Sequence, residues 1–593
     1  MLMGLHFIFG AAGTGKTRRC CEEIRDYVTG KKGRSAFFLV PDQETYTAER
    51  MLADIFPGHG FIDATVCGFS RLAYRVFNEL RSPVQDALSP LGQQIIISRI
   101  LAEHRDELQM LMKISSQPHF AENLMNLFHQ LDMFCISETA FHEASRAEEG
   151  TPLGRKLADL SLLYKNYHDY LHSRFSYEGS LFDLLAGEIP KSEILRRSRI
   201  WIDGFNGMTP QKIRIVSALI RTAEEVTFTI PLPDAKEGLS NEIFARPANL
   251  YALLSEKEPR FDSVTLPERK RFRCPRLRCL AADYFQNVPS PCPLPKETSP
   301  VPEKGIHIVS APDSQAEADF ISRRILSLVR DKNLRWRDIL VLLRSADTYT
   351  DPLERSFSRY GIPVFTDEKQ PMNNHPLVML LDGLLHFIKA ESRGKNRGFT
   401  REHIFRILKT EIFPSFPADT IDKLENYVLK YHIRFSTWQK PWVFRDYRSI
   451  DQEPAPLSDK EITKQNTANT WREKVLSLLN PFLAGWKGAL SAEDKCAFLY
   501  RWLTEQQIPE TLSVWDELEF EKTKKRPHLQ VWKKVLSLLD EIVHVTGKDI
   551  LPEEELCGIL ADGLSALTFS MIPPTLDHVT VTSMDRGLSL IHI

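Results

Sequence analysis

The sequence lacks an excess of charge of either sign, because 76 lysine and arginine residues nearly balance 78 aspartate and glutamate residues, for a net charge of −2. Proteins that bind nucleic acid through most of their surface carry a strong positive charge. Any nucleic-acid contact of this chain must therefore come from a local basic patch or from a partner. The sequence also lacks an uninterrupted run of about 18 apolar residues, so we expect no transmembrane helix.

Cysteine is scarce and scattered, with nine residues in 593 and no C-x-x-C pair. Cys274, Cys279 and Cys292 form the one loose cluster, and no histidine lies close to them in the sequence. Structural metal sites usually combine paired cysteines with each other or with histidine. We therefore expect reduced, unpaired thiols here rather than a metal site.

One short glycine-rich segment near the N-terminus matches the pattern G-x-x-x-x-G-K-[ST] at every fixed position: Gly10-Ala11-Ala12-Gly13-Thr14-Gly15-Lys16-Thr17. Apolar residues 5–9 before it predict a buried parallel strand, and residues 18–28 after it predict a helix. In that setting the loop wraps closely around the phosphates of ATP, Lys16 reaches the β- and γ-phosphates, and the Thr17 hydroxyl faces Mg²⁺. Because the strand begins at Leu5, we expect no signal peptide and a cytoplasmic protein.

Strands and helices alternate through the residues around this loop. Strands are predicted at 35–40, 64–70, 199–202 and 226–230, which indicates a parallel sheet with its ligand-binding loops at the strand C-terminal ends. Asp203 directly follows one of these strands. In P-loop ATPases the acidic Walker B residue, which holds the Mg²⁺ shell, has the same position after a strand. The next residue is Gly204, which cannot act as a base, whereas hydrolysing enzymes of this kind usually have glutamate there.

The remainder of the chain predicts two helical regions and a second α/β unit. Helical spacing dominates residues 89–191 and 377–567, and the proline-rich, basic residues 258–302 are interpreted as an irregular connection. The second α/β unit is predicted from strands at 306–310, 338–344 and 361–365, with a last strand near residue 579. The basic run at 522–526 is interpreted as a solvated helix face.

Two α/β units, each interrupted by helices and with a P-loop in the first alone, resemble the UvrD-like superfamily 1 helicases. Together with the glycine-rich segment, four local segments narrow the resemblance to the AddB family, whose members pair with AddA in the AddAB ATP-dependent helicase/deoxyribonucleases, over residues 4–587. These segments are Leu39-Val40-Pro41-Asp42-Gln43, Gly68-Phe69-Ser70-Arg71-Leu72-Ala73, Trp201-Ile202-Asp203-Gly204-Phe205 and the stretch from Leu576-Asp577 to Asp585-Arg586.

The resemblance implies an α/β fold of two RecA-like domains, each with a mostly helical insertion. The first RecA-like domain would comprise residues 1–88 and 192–295, and its insertion residues 89–191. The second would comprise residues 296–390 and 566–593, with an insertion at 391–565.

The resemblance also implies roles for individual residues. Gly10 to Thr17, Asp203 and Arg344 would bind ATP, with Thr17 and Asp203 at the Mg²⁺ and Arg344 approaching the γ-phosphate from the second unit. Single-stranded DNA would lie on Gln43, Phe69, Ser70 and Arg71. The implied partners are an AddA subunit and single- and double-stranded DNA, with no membrane.

Three departures from active helicases predict a unit that binds nucleotide and DNA without unwinding. The glutamine motif that normally precedes the P-loop strand is absent, Gly204 replaces the catalytic glutamate, and Pro231-Leu232-Pro233 stands where a glutamine and a base-stacking aromatic residue usually follow. In the AddB family such a unit helps to recognise the hotspot Chi during double-strand-break processing for homologous recombination. The alternatives are an active stand-alone helicase or ATPase and, less favoured, a kinase-like P-loop enzyme.

AddB proteins are longer than this sequence and carry a nuclease domain and an iron–sulfur cluster held by four cysteines in their C-terminal half. The resemblance therefore implies an N-terminal fragment without those parts. Residues 588–593 do not continue the family pattern, and we interpret them as foreign sequence from a library adapter.

Overall fold

A computed structural model describes residues 4–30, 35–56, 58, 60–82, 88–115, 117, 120–174, 178–234, 242–272, 274–283, 305–366, 371–443, 458–523, 526–569 and 577–584. Its mixed α/β architecture confirms the predicted fold class. Within these residues, no helix combines the length and apolarity that crossing a membrane requires.

The first α/β unit is built on six parallel strands in the spatial order β3-β2-β4-β5-β1-β6. The strands are β1 Gly4–Phe9, β2 Ala36–Leu39, β3 Ala64–Cys67, β4 Arg199–Ile202, β5 Glu225–Ile230 and β6 Phe261–Thr265. Because all six run in one direction, the loops after β1, β2 and β4 leave from the same edge of the sheet.

Helices cover both faces of this sheet because successive side chains of each strand point to opposite sides. Phe7 and Phe9 of β1 pack on one side, whereas Ile8 packs on the other. The helices up to the end of this unit are α1 Lys16–Gly30, α2 Thr45–Ile55, α3 Phe69–Leu80, α4 Pro90–Glu103, α5 Phe120–Met133, α6 Glu138–Ala147, α7 Pro152–Arg174, α8 Glu178–Glu188, α9 Glu193–Arg196, α10 Pro210–Thr222, α11 Ala245–Lys257 and α12 Pro275–Asp283.

A second, smaller parallel sheet has the order β7-β9-β8, with β7 at Leu340–Leu343, β8 at Val364–Thr366 and β9 at Val579–Ser583. The later helices are α13 Ser314–Lys332, α14 Ala346–Tyr360, α15 Pro376–Ser392, α16 Arg401–Leu408, α17 Ala418–Lys430, α18 Asp459–Gly488, α19 Ala492–Glu505, α20 Ile508–Thr523, α21 Pro527–Thr546 and α22 Glu553–Ser565.

Helices from both helical regions share one hydrophobic core. Ile96 of α4 and Tyr167 of α7 belong to the same buried cluster as Leu381 of α15 and Leu538 of α21. The N-terminus of α4 is also tied to α21, because Glu541 accepts the backbone N–H groups of Ser89 and Gly92 at 3.2 and 3.1 Å. The domain boundaries predicted above stay predictions.

Two local predictions are wrong. Residues 258–302 are not wholly irregular, because β6 pairs in parallel with β1 and α12 follows it. Residues 306–310 are not a strand: they form no ladder among the described residues, and the side chain of Ile308 is 96% exposed. A strand needs a neighbour for its backbone hydrogen bonds, and a local apolar pattern does not supply one.

The cysteines follow the prediction except at one position. Cys20, Cys21, Cys67, Cys135, Cys274, Cys496 and Cys557 are free thiols. Cys279 is disulfide-bonded, so the prediction of an unpaired thiol is wrong there. Cys292, most of the predicted connection after residue 283, part of the basic run at 522–526 and residues 588–593 lie outside the described residues.

Candidate functional site

The glycine-rich segment forms the turn between β1 and the N-terminus of α1. Gly13 and Gly15 adopt φ angles of 83° and 91°, a left-handed conformation that glycine enters without strain. A Cβ atom at Gly10 would lie 2.3 Å from Oγ1 of Thr14, whose hydroxyl donates to the Ala11 carbonyl at 3.0 Å. The glycines of the motif are therefore required by this turn.

Lys16 opens α1 and folds back over the loop. Its Nζ atom donates to the carbonyl oxygens of Gly10 at 2.8 Å and Ala11 at 3.2 Å. Burial lowers the pKa of this amine, the charge of Asp203 raises it, and the guanidinium of Arg271 lowers it further. The first turn of α1 carries no acidic residue, so its free N–H groups and Lys16 form a site suited to an anion.

Asp203 is buried at the end of β4, with 3% of its surface exposed. Its backbone N–H donates to the carbonyl of Leu39 in β2 at 3.0 Å, and its Oδ1 atom accepts from the hydroxyl of Thr229 in β5. Because the Asp203 charge acts on Lys16, the fold brings the two predicted residues together. Thr17 is the next residue of α1 and is half-buried. A threonine hydroxyl and a carboxylate are hard oxygen ligands, which fits Mg²⁺ bound together with a nucleotide.

Glu44 is a site residue that the sequence analysis missed. It ends a short 3₁₀ helix, Asp42–Glu44, that follows β2. A Cβ atom built on Gly204 would lie 2.6 Å from Oε2 of Glu44 and 3.0 Å from Cδ of Pro41. Burial, and then the charge of Asp203, raise the pKa of the Glu44 carboxyl to about 8. Glu44 could have been predicted only if β2 and β4 were known to be neighbours, because the segments that follow the two strands then lie side by side.

The basic segment after β6, residues 268–271, was also missed. The backbone N–H groups of Lys270 and Arg271 both donate to the carbonyl of Gly13, at 2.9 and 3.1 Å. Arg271 keeps part of its surface exposed, but burial lowers the pKa of its guanidinium. The neighbouring Arg269 has a buried Nη1 atom without a hydrogen-bond partner among the described residues. These residues place additional positive charge against the glycine-rich loop.

Arg344 lies in the other sheet. It directly follows β7 and is exposed. Its proposed approach to the γ-phosphate stays a prediction.

The four residues predicted to bind DNA have different environments. The ring of Phe69 is 3% exposed and packs on Phe205 at a centroid distance of 5.6 Å, so it is not free to stack on a base in this conformation. Ser70 is half-buried. Arg71 is exposed and lies 3.8 Å from Glu49. The side chain of Gln43 lies outside what the structure describes.

Arg71 also lines an open cavity of about 920 Å³ beside β3, the edge strand of the first sheet. Two further arginines and two exposed apolar or aromatic side chains line the same cavity: Arg50, Arg75, Tyr46 (68% exposed) and Ile62 (94% exposed). Cationic and aromatic groups in one groove are the combination that binds single-stranded nucleic acid.

Comparison with known proteins identifies a family and several relatives that this chain resembles. The family model described as "ADDB, N-terminal" matches residues 7–280. The B-type subunit of the ATP-dependent helicase/deoxyribonuclease of Pelotomaculum thermopropionicum is 32% identical over 99% of this chain and 51% of its own length. The protein of the same name from Heliobacterium modesticaldum is 33% identical over 99% of this chain and 48% of its own length. The chain is thus similar to AddB proteins, through the family match at residues 7–280 and through these relatives along 99% of its length.

The AddB family match covers the whole of the site described above. The glycine-rich loop, Glu44, Asp203 and the basic segment all lie between residues 7 and 280. The corresponding protein of Geobacillus kaustophilus, which has the same name, is likewise 32% identical over 99% of this chain and 51% of its own length. The chain thus spans about half the length of the relatives it matches.

Proposed function

We propose that this chain is the helicase-like half of an AddB-type subunit, which binds ATP with Mg²⁺ and binds DNA. The observation that supports this most directly is the position of Lys16, which lies within the glycine-rich loop and within the electrostatic reach of Asp203. A loop of this kind holds phosphates through backbone N–H groups and one lysine.

We further propose that the chain does not separate DNA strands by itself. Gly204 leaves the usual position of the helicase glutamate without a side chain, and β5 leads to Pro231-Leu232-Pro233 rather than to a glutamine and a stacking aromatic residue. Coupling of nucleotide turnover to movement along DNA needs those contacts.

The relatives are named as one subunit of a helicase/deoxyribonuclease, which suggests a heteromeric complex. We propose that the partner is an AddA subunit that supplies the motor, and that the complex processes double-strand breaks for homologous recombination. Chi recognition is part of this proposal, as is the role of the arginine-lined cavity beside β3 in contacting single-stranded DNA. A nuclease centre and an iron–sulfur cluster would belong to the half of the relatives that this chain does not match.

Equilibrium binding of ATP with Mg²⁺ tests the nucleotide site. Lys16→Ala should weaken binding by roughly 100-fold, because it removes the charge that faces the phosphates. The fold should stay intact, since the bonds that Nζ of Lys16 makes within the described part of the chain go to two loop carbonyls of its own turn. Arg25→Ala is the matched control: it removes a cation of α1 that is paired with Asp26.

Equal affinity of wild type and Lys16→Ala, or no binding by wild type, would contradict the nucleotide proposal. Co-purification with an AddA-type subunit, followed by a DNA-binding assay, tests the complex. Strand separation by the isolated chain would favour the alternative of an active helicase.

A further inference from the structure

Gly204 stands where other helicases have a glutamate, and the carboxylate of Glu44 lies in the space that such a side chain would enter. The Oε2 atom of Glu44 lies 2.6 Å from the position where a Cβ atom of residue 204 would stand. The carboxylate therefore occupies the space of a side chain at 204, although it comes from a different strand connection.

Sheet topology explains how a residue that is 160 positions away in the sequence reaches this space. Strands β2 and β4 are neighbours, with Leu39 paired to Ile202 at their C-terminal ends. The hydrogen bond from Asp203 N–H to the Leu39 carbonyl continues this pairing one residue further. The chain then turns at Pro41 into the 3₁₀ helix that ends at Glu44, beside Gly204.

The Glu44 side chain has no helix-capping role that would account for its position. Glu44 is the N-cap residue of α2, but its carboxylate makes no capping hydrogen bond to that helix. Instead it points towards Gly204, next to the residue proposed to hold Mg²⁺. Gly204 itself has a φ angle of 84°, so the chain at this position suits glycine and leaves room for the incoming carboxylate.

We propose that Glu44 is the general base of a slow ATPase at this site, in place of the glutamate that other helicases carry after the Walker B aspartate. The inference rests on the proposed nucleotide site and goes beyond it. A solvent water forms a bond from its oxygen to the γ-phosphorus, and the bond from the γ-phosphorus to the β,γ-bridging oxygen breaks. The bridging oxygen leaves with the bonding electron pair on ADP, and the proton of the water passes to a carboxylate oxygen of Glu44.

Steady-state phosphate release by the full 593-residue chain, with ATP and Mg²⁺, tests the proposal. Glu44→Gln keeps the size of the side chain and removes the base, so kcat should fall by about 100-fold while the KM and the equilibrium affinity for ATP change less than about threefold. Glu22→Gln, on the exposed side of α1 and paired with Arg18, should leave both unchanged.

A second pair of variants tests the position rather than the charge of Glu44. Gly204→Ala adds a Cβ atom that displaces the carboxylate, so kcat should fall although Glu44 is still present. Gly361→Ala is the matched control, because Gly361 also has a positive φ angle, 65°, and its added Cβ atom would meet nothing within 4 Å. Thermal unfolding of all four variants without nucleotide checks that each one folds.

The results separate this proposal from the function on which it rests. If wild type binds ATP but shows no phosphate release that depends on Lys16, or if Glu44→Gln turns over as fast as wild type, the role of Glu44 is wrong and the nucleotide site stands. If wild type does not bind ATP, both are wrong. Turnover that requires Glu44 without strand separation supports both.

Discussion

The Gly13 carbonyl carries two hydrogen bonds from a segment more than 250 residues later, and this contact fixes where Arg271 stands. A Cβ atom at Gly13 would lie 3.1 Å from Cβ of Arg271, so the arginine side chain begins directly against the loop. The charge of Arg271 also acts on Lys16. Two cations in proximity repel each other, and a polyphosphate bound to both would relieve that repulsion.

We therefore expect Arg271→Ala to weaken ATP binding by roughly tenfold, the size of one charge-assisted hydrogen bond. The chain should still fold without nucleotide, because the backbone bonds to Gly13 remain. Isothermal titration with ATP and ADP measures the first effect, and thermal unfolding the second.

Lys270→Ala is the control for this variant. Lys270 donates an equivalent backbone hydrogen bond to Gly13, and its side chain is exposed. The interpretation fails if the two alanine variants lose the same affinity, or if neither loses any.

The sequence predicts most directly those features that depend on near neighbours along the chain. The glycine-rich loop, Lys16 and the strand before Asp203 are local patterns, and the structure brings Lys16 and Asp203 together. The sequence analysis missed Glu44 and Arg271 because their positions depend on strand order. Glu44 lies beside Gly204 because β2 is next to β4, and Arg271 lies beside Gly13 because β6 is next to β1. No spacing along the chain encodes that adjacency.

At the scale of whole elements, one segment that was not predicted as a strand forms one, and one segment that was predicted as a strand does not. β6, Phe261–Thr265, alternates with polar residues and borders a proline-rich region, yet the open edge of β1 accepts it as a partner. Residues 306–310 have a stronger apolar pattern but form no ladder among the described residues. Pairing depends on a free edge at the right place, which local propensity does not report.

The junction of α15 and α21 contains a histidine pair that should make stability depend on pH. Nδ1 of His375 accepts the Leu377 N–H at 3.2 Å, which caps α15 and leaves the ring proton on Nε2. That Nε2 atom faces Nδ1 of His528 at 2.9 Å. Burial, and then His528, lower the pKa of His375 from 6.5 to about 4, although Asp516 acts in the opposite direction.

Between pH 6.5 and 4 the unfolded chain binds more protons at His375 than the folded chain does. The contribution of neutral His375 is therefore complete above pH 6.5 and is lost as the pH falls through this window. We expect a loss of about 2 kcal/mol from this group between pH 7 and pH 5. Urea unfolding at the two pH values measures it.

His375→Asn is the matched variant, because asparagine can still accept the Leu377 N–H but does not titrate. Its stability should fall less between pH 7 and pH 5 than that of wild type. An equal fall in both proteins would show that other groups cause the acid sensitivity.

At the scale of the whole molecule, the two helical regions are one structural body even though each interrupts a different α/β unit. Helices α4, α5 and α7 share their buried cluster with α15 to α22, and Arg99 of α4 forms an ion pair with Asp549 after α21. The sequence predicted the helices from their periodicity. It could not predict that they pack together, since an apolar face does not specify its partner.

The balanced net charge of −2 makes DNA binding a test of local charge. We expect single-stranded DNA to bind the arginine-lined cavity beside β3, with an affinity that falls steeply as salt rises. Each arginine that neutralises a phosphate contributes a slope of about −0.7 to the plot of log K against log salt concentration.

Arg50→Ala and Arg71→Ala should therefore each reduce the slope by about 0.7, and the double variant by about twice that amount. Arg221→Ala is the control, because Arg221 lies in the last turn of α10 and is not among the residues that line the cavity. Fluorescence anisotropy with a labelled oligonucleotide between 50 and 300 mM salt measures the slopes. Unchanged slopes in the cavity variants would place the DNA elsewhere on the chain.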